Sequence, residues 1–309
     1  MLHQELSAFL DMVDEGRQSG RPALHELPVS RAREDFEAAS EALKAGAPRL
    51  PVEPLTLELA GRTLPARLYR PEQARPLPVM LYFHGGGYVV GSLGSHDGLC
   101  RDLADACGCA VLAVGYRLAP EHPFPAAPDD ARAAWGWLQA HGTELGLDLA
   151  RVAVAGDSAG ATLASVLAAQ LAAEGGPAPC AQLLFYPAVD AQGGSESREL
   201  FADGYLLENA TLDWFYRHYA PEESQWGDWR CSPLYAAARL RGSAAALLLI
   251  AELDPLVDEG LAYAKALQDQ GVDVETVVCH GMTHDFLRMG SIVDVTGHLQ
   301  RIAQFLRQR

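Results

Sequence analysis

Six short apolar runs, at 78–83, 109–115, 151–156, 181–186, 245–251 and 273–279, recur along this chain with helix-forming stretches between them. Each run has the length of a buried strand rather than of a helix. Strands that alternate with helices are joined by crossovers, so the pattern calls for a mainly parallel sheet with helices on both faces, an α/β architecture. The helices are expected at 95–107, 127–141, 159–173, 258–270 and 293–308. Ahead of this body, Leu2, Leu6, Phe9, Leu10 and Val13 recur at helical spacing, as do Ala32, Phe36, Ala39 and Leu43 after a Ser30 cap. Between them and the first run, 55–59 and 64–69 flank a short polar turn and suggest an antiparallel hairpin. One stretch, about 190–240, breaks the rhythm: it is rich in Trp, Tyr, Gly and Asp and carries no strand signal. Long insertions in compact domains tend to be functional. This one, with the helices of residues 1–50, is expected to cap the mouth of a site built on residues 51–309.

Two of the runs end in glycine-bearing motifs. His84-Gly85-Gly86-Gly87 follows the first, and Gly156-Asp157-Ser158-Ala159-Gly160 closes the third. The latter is a G-x-S-x-G pattern, in which a serine sits on a cramped strand-to-helix turn and flanking glycines let neighbouring backbone approach without a Cβ clash. The former puts glycines where a loop presents backbone N–H groups to a developing oxyanion. A serine hydroxyl at neutral pH needs a general base, usually a histidine oriented by a carboxylate. After Ser158 the histidines are His218, His280, His284 and His298, and His284 is the best placed, on a loop after a strand-like run. Asp254 leaves the end of the most apolar run, at 247–251, with Glu252 and Asp258 as rivals for the acid. Ser158, Asp254 and His284 come in the chain order of an α/β-hydrolase.

The plainer readings also have a place. Neither a Walker-type nor a dinucleotide-type glycine pattern is matched, so the 85–87 loop is not read as a phosphate cradle. His280 and His284 have the spacing of a helical metal pair, but an intervening glycine and the strand context argue against it, and no metal site or cofactor is expected. His280 is expected to be exposed or hydrogen-bonded, and His96, His122, His141 and His298 to be surface or capping residues. Asp157, beside the serine, is read as a structural hydrogen-bond acceptor, and Arg117 with Glu121 as a buried ion pair fixing a proline-bearing loop.

Composition narrows the partners. A net charge of −16 opposes nucleic acid or an anionic membrane surface as the main partner. The 49 % apolar and 21 % charged content is that of a globular chain with a large core. The six cysteines show no metal-type pair and no disulfide-dense spacing, so they are read as reduced thiols. With no basic, apolar leader and no membrane-spanning apolar run, the expected location is the cytoplasm.

Five segments then carry a resemblance. They are the run from Tyr82 to Gly91 with its three glycines, Tyr116 to Ala126, Gly156 to Gly160, Asp254 to Gly260, and His280 to Phe286. Together they are similar to the hormone-sensitive-lipase-like group of bacterial carboxylesterases, over a region from about Arg67 to the C-terminus. The resemblance implies an α/β-hydrolase fold with a helical cap, and cofactor-free hydrolysis of carboxylic esters through an acyl-enzyme. It implies a triad of Ser158, Asp254 and His284, with the N–H groups of Gly86, Gly87 and Ala159 as oxyanion donors. The segment 201–206 with Trp214 and Phe215 resembles the cap-side wall, which marks Tyr205, Leu206 and Phe215, together with Tyr88 and Phe286, as substrate-contacting. Asp285 departs from the glycine that many members carry after the histidine. The expected partner is a small ester of short to medium acyl length, with a homo-oligomer open. The rival readings are an amide, lactone or peptide hydrolase with the same machinery, and a binding module on the same scaffold, which the presence of serine, acid and histidine disfavours.

Overall fold

The apolar runs become the strands of an eight-stranded sheet in the structure, a computed structural model that describes residues 1–44, 46–73 and 76–309. The strands are β1 (Val52–Leu59), β2 (Arg62–Tyr69), β3 (Leu77–Phe83), β4 (Ala110–Val114), β5 (Leu147–Asp157), β6 (Ala181–Phe185), β7 (Ala245–Leu253) and β8 (Val274–Thr283). Their order is β1-β2-β4-β3-β5-β6-β7-β8. β2 pairs antiparallel with both β1 and β4, and the pairs from β4 to β8 are parallel.

Side chains alternate across this sheet with the two-residue period of a strand. In β3, Val79, Leu81 and Phe83 join one core cluster while Met80 and Tyr82 join the other; in β7, Leu248 and Ile250 divide likewise from Leu247 and Leu249. The first cluster is covered by α4 (Ala126–His141), α5 (Ala159–Glu174) and α8 (Val257–Asp269). The second lies under α3 (Asp97–Cys107) and α9 (Thr296–Leu306). α5 is buried on every side from Ala159 to Ala169, which explains its run of Ala and Leu with no polar face. α9 starts three residues later than the spacing suggests; ahead of it, Asp294 Oδ1 accepts the Thr296 N–H at 2.9 Å in a local turn.

The N-terminal stretches form α1 (Gln4–Gln18) and α2 (Val29–Leu43), and the 190–240 insertion forms α6 (Glu196–Leu200), α7 (Asn209–Tyr219) and short 3₁₀ turns. Leu6 of α1 and Ala32 of α2 insert into opposite clusters, so both helices are packed firmly onto the sheet's two layers. α2 is also tied down by Arg33, which donates to the carbonyls of Val89 and Ala119 at 2.8 Å and pairs with Glu121 at 2.7 Å. The expected Arg117–Glu121 pair is therefore not made. Arg117 turns to Asp130 of α4 at 2.8 Å, a fully buried carboxylate that also holds Arg62 at 2.6 Å. The buried acid outcompetes the exposed one, since a low-dielectric site strengthens the attraction and demands neutralisation. All six cysteines are free thiols. Among the described residues, no helix is long and apolar enough to cross a membrane.

Candidate active site

From β3 the chain steps to β4 on one side and then crosses back to β5 on the other, so β3 and β5 are neighbours where the winding reverses. Crevices at such reversals, beyond the strands' C-terminal ends, are where open α/β sheets bind ligands. Phe83 pairs with Gly156, which sets the loop after β3 beside the turn after β5. The fit is tight: a Cβ on Gly160 would overlap the Phe83 carbonyl oxygen, so only glycine allows this approach. Ser158 sits on the turn at φ +51°, ψ −122°, with its N–H donated to the Phe185 carbonyl at 2.8 Å. Such a conformation costs about 1–3 kcal/mol. Burying a single large aliphatic side chain such as Val154 or Leu163 contributes about as much, so the packed turn is readily held.

Three side chains from three elements meet at this turn. Asp254, the residue after β7, is buried; its Oδ1 accepts the Leu256 N–H at 2.9 Å and its Oδ2 lies 2.7 Å from His284 Nδ1. His284 Nε2 lies 2.9 Å from Ser158 Oγ. The carboxylate fixes the tautomer, with the proton on Nδ1 and Nε2 free to accept from the hydroxyl. Burial alone would lower the His284 pKa, but Asp254, Asp285 and Asp157 outweigh it, so the pKa rises above the usual histidine value. The rival acids are engaged elsewhere. Glu252 accepts from Gly281 N at 2.7 Å and contacts the exposed His280 at 3.1 Å, and Asp258 accepts from Ser197 N at 2.8 Å.

Gly86, Gly87 and Ala159 line the same cavity as Ser158. Among the described residues, none accepts a hydrogen bond from these three N–H groups. They are available to an oxyanion, and the N-terminus of α5 adds its positive dipole end. The loop that presents the glycines is anchored from below. Gly85 N donates to Asp157 Oδ1 at 3.0 Å, the Tyr82 hydroxyl donates to the same oxygen, and His96 Nε2 lies 3.1 Å from Oδ2. His96, expected to be a surface or capping residue, stands at the N-cap position of α3 but is buried there, as a partner of Asp157 under the loop. Burial would raise the Asp157 pKa, but His96, Tyr82 and Arg288 hold it well below the usual carboxylate range. Next to it, His84 stacks on Tyr116 with ring centroids 4.4 Å apart, and burial depresses it to about 3, leaving a neutral ring. Ligand atoms of His96, Asp157 and Asp285 lie within 4.8 Å of one another. These donors are already committed to each other, to Tyr82 and Gly85, and to Arg288, so the cluster reads as a hydrogen-bond network and not as a metal cradle.

The cavity above Ser158 measures about 580 Å³. Of the side chains expected to touch substrate, Tyr88, Leu206 and Phe215 line it. Phe286 does not: it is 0 % exposed, packed against Tyr186 and His298 beneath the site, because the 3₁₀ turn after His284 points it into the core. Tyr205 also stays out of the lining, with its ring edge-on to Phe201 at 5.0 Å. α1 and α2 contribute Phe9, Val13, Phe36 and Ala39 to the wall. Their apolar spacing was visible in the sequence, but an apolar position facing a cavity looks the same there as one facing a core.

A family model of the α/β hydrolase fold matches residues 80–288. The chain belongs to the hormone-sensitive-lipase-like α/β hydrolases. Among its relatives in this hydrolase family is an ethyl acetate hydrolase of Pseudomonas putida, 48 % identical over 301 residues, covering 95 % of this chain and 94 % of the relative. A carboxylic ester hydrolase, LipN, of Mycobacterium tuberculosis is 41 % identical over 270 residues, covering 84 % and 71 %. An ester-hydrolase from the metagenome of Lake Arreo superposes with a TM-score of 0.95 at 38 % identity, covering 99 % of this chain and 98 % of that one. A thermostable esterase of Pseudomonas putida superposes with a TM-score of 0.95 at 34 % identity, covering 99 % and 97 %. Hydrolases of this fold differ mainly in what surrounds the shared turn, and here that surround is α1, α2 and the 190–240 insertion.

Proposed function

We propose that this hydrolase cleaves small carboxylic esters through an acyl-enzyme on Ser158. The observation that carries the reading is the unbroken hydrogen-bond chain Ser158–His284–Asp254 facing uncommitted N–H groups across a cavity. His284 takes the hydroxyl proton as Oγ attacks the ester carbonyl, and Asp254 stabilises the imidazolium that forms. The oxyanion is held by Gly86, Gly87 and Ala159 N–H. His284 then passes its proton to the leaving alcohol. In the second half it activates a water that releases the acid and restores Ser158.

Residues 1–50 and the 190–240 insertion act as the cap of a 51–309 catalytic domain. Phe215 and Tyr216 of the insertion are buried and line the cavity, while Asp203, Asp213, Glu222 and Glu223 face outward. A cap with so charged a surface favours dissolved esters of short to medium acyl length over a lipid–water interface. The ethyl acetate hydrolase and carboxylic ester hydrolase relatives support a small-ester substrate. The test is turnover of an aryl-ester panel of graded acyl length by wild type and by Ser158→Ala, His284→Ala and His280→Ala. The first two should lose on the order of 10⁶ in kcat while staying folded, and His280→Ala should keep most of its activity. A folded Ser158→Ala variant with substantial turnover refutes the assignment. A rate jump on emulsified long-chain ester refutes the substrate class.

A further inference from the structure

Asp285 follows the catalytic imidazole directly and takes φ +69°, in the left-handed region that short polar side chains tolerate better than most. Its carboxylate is gripped by Arg288 Nη1. The Arg288 guanidinium is buried, lies 4.7 Å over the Phe36 ring, and donates from Nη2 to Ser40 Oγ and to the Ser95 carbonyl at 3.3 Å. Asp285 and Arg288 both line the cavity that holds Ser158 and His284. An opposite pair therefore sits beside the base, with its cation anchored to α2 and to the loop before α3.

We propose that Asp285 and Arg288 act as a charge-compensated positioning pair that sets the pH at which His284 becomes a free base and ties its loop to α2. This deepens, and rests on, the reading of His284 as general base. Asp285 favours the imidazolium, Arg288 opposes it, and each mutes the other. The other groups around the ring are fixed. Asp254 comes from the loop after β7, Asp157 ends β5, and Tyr186 follows β6 directly, edge-on at 4.8 Å. His96, ahead of α3, is held by Asp157. On the cavity wall, Arg31 and Asp35 of α2 pair with each other at 2.9 Å and Arg17 of α1 pairs with Glu208 at 2.6 Å, while Arg21 stands just beyond α1. Asp285 and Arg288 are thus the pair that can be unbalanced without breaking the Ser158–His284–Asp254 chain.

The experiment is the pH profile of kcat/KM for four variants, with a direct imidazole titration of His284 by NMR so that a weakly active variant is still read. Asp285→Asn leaves the cation alone and should move the acidic limb to lower pH. Arg288→Met leaves the carboxylate alone and should move it to higher pH. Each displacement should be on the order of one pH unit, the low end of what a neighbouring charge does. Arg288→Lys keeps the charge and should leave the limb in place. The double variant Asp285→Asn/Arg288→Met should return it close to wild type. A merely structural pair would lower kcat without these opposite displacements. Two single variants whose midpoints stay put, or move in the same direction, overturn the proposal. Ser158→Ala and His284→Ala keep the outcomes separable: if they remain active the esterase reading itself fails, and if they are dead while the limb is unmoved only the pair's role fails.

Discussion

Replacing Asp157 by alanine should cost this fold more than any exposed charge could. The carboxylate is 0 % exposed, and it satisfies the Tyr82 hydroxyl, the Gly85 N–H at 3.0 Å and His96 at 3.1 Å. A hydrogen bond to a charged group contributes about 1.5–3 kcal/mol, and deleting one member of a buried ion pair costs about 3–5 kcal/mol, because the stranded partners stay buried. Asp157→Ala should therefore lose about 3–5 kcal/mol, a large share of the roughly 5–15 kcal/mol that holds a domain together. Asp157→Asn keeps an acceptor for Tyr82 and Gly85 and should lose about 1–3 kcal/mol. Both should lower kcat as well, since Gly85 carries the loop of Gly86 and Gly87. The pH dependence has a definite sign. Burial would raise the Asp157 pKa, but His96, Tyr82 and Arg288 hold it well below the ordinary value. Its contribution is then complete above about pH 4, the unfolded carboxylate value, and fades as pH falls toward the lower folded value. The gap between wild type and Asp157→Ala should accordingly narrow on acidification. Urea unfolding at neutral and acidic pH measures it. A gap under about 1 kcal/mol at neutral pH, within the range of an ordinary point mutation, or one that does not narrow in acid, refutes the reasoning.

Gly87 takes φ +57° and a Cβ there would run into the Phe215 ring of α7; Gly87→Ala should lower kcat/KM by at least ~10-fold, and adding Phe215→Ala should recover part of the loss by making room. Asp130→Ala removes the buried carboxylate shared by the partly exposed Arg62 and Arg117 and should lose about 1.5–3 kcal/mol with kcat of the surviving enzyme unchanged, read by urea midpoints beside turnover. Burial pushes Glu259 up to about 8, against the pull of Arg198 and the Val189 and Asp190 N–H groups. Its stabilising contribution is present below the ordinary carboxyl value and is lost as pH rises through about 8, so Glu259→Gln should flatten the alkaline fall of the melting temperature. A parallel fall in both proteins counts against that assignment.

The strand–helix rhythm, the Ser158 turn, and the order Ser158, Asp254, His284 are all legible in the chain, because each depends on neighbours in sequence. A buried parallel strand must be an apolar run, and a close backbone approach such as Gly160 against Phe83 admits only glycine. Partner choice is not local. Arg117 finds Asp130 and Glu121 finds Arg33, and His96 is drawn under the loop to Asp157, once crossovers have brought distant segments together. Phe286 shares a motif with His284 yet turns into the core, since one 3₁₀ turn decides which way a side chain leaves the loop. The apolar faces of α1 and α2 could be read as helix faces, but only packing decides that part of them lines a cavity. Arg288 reaches Ser40 across 248 residues of chain, and that contact exists only because the tertiary fold sets α2 against the loop that carries His284.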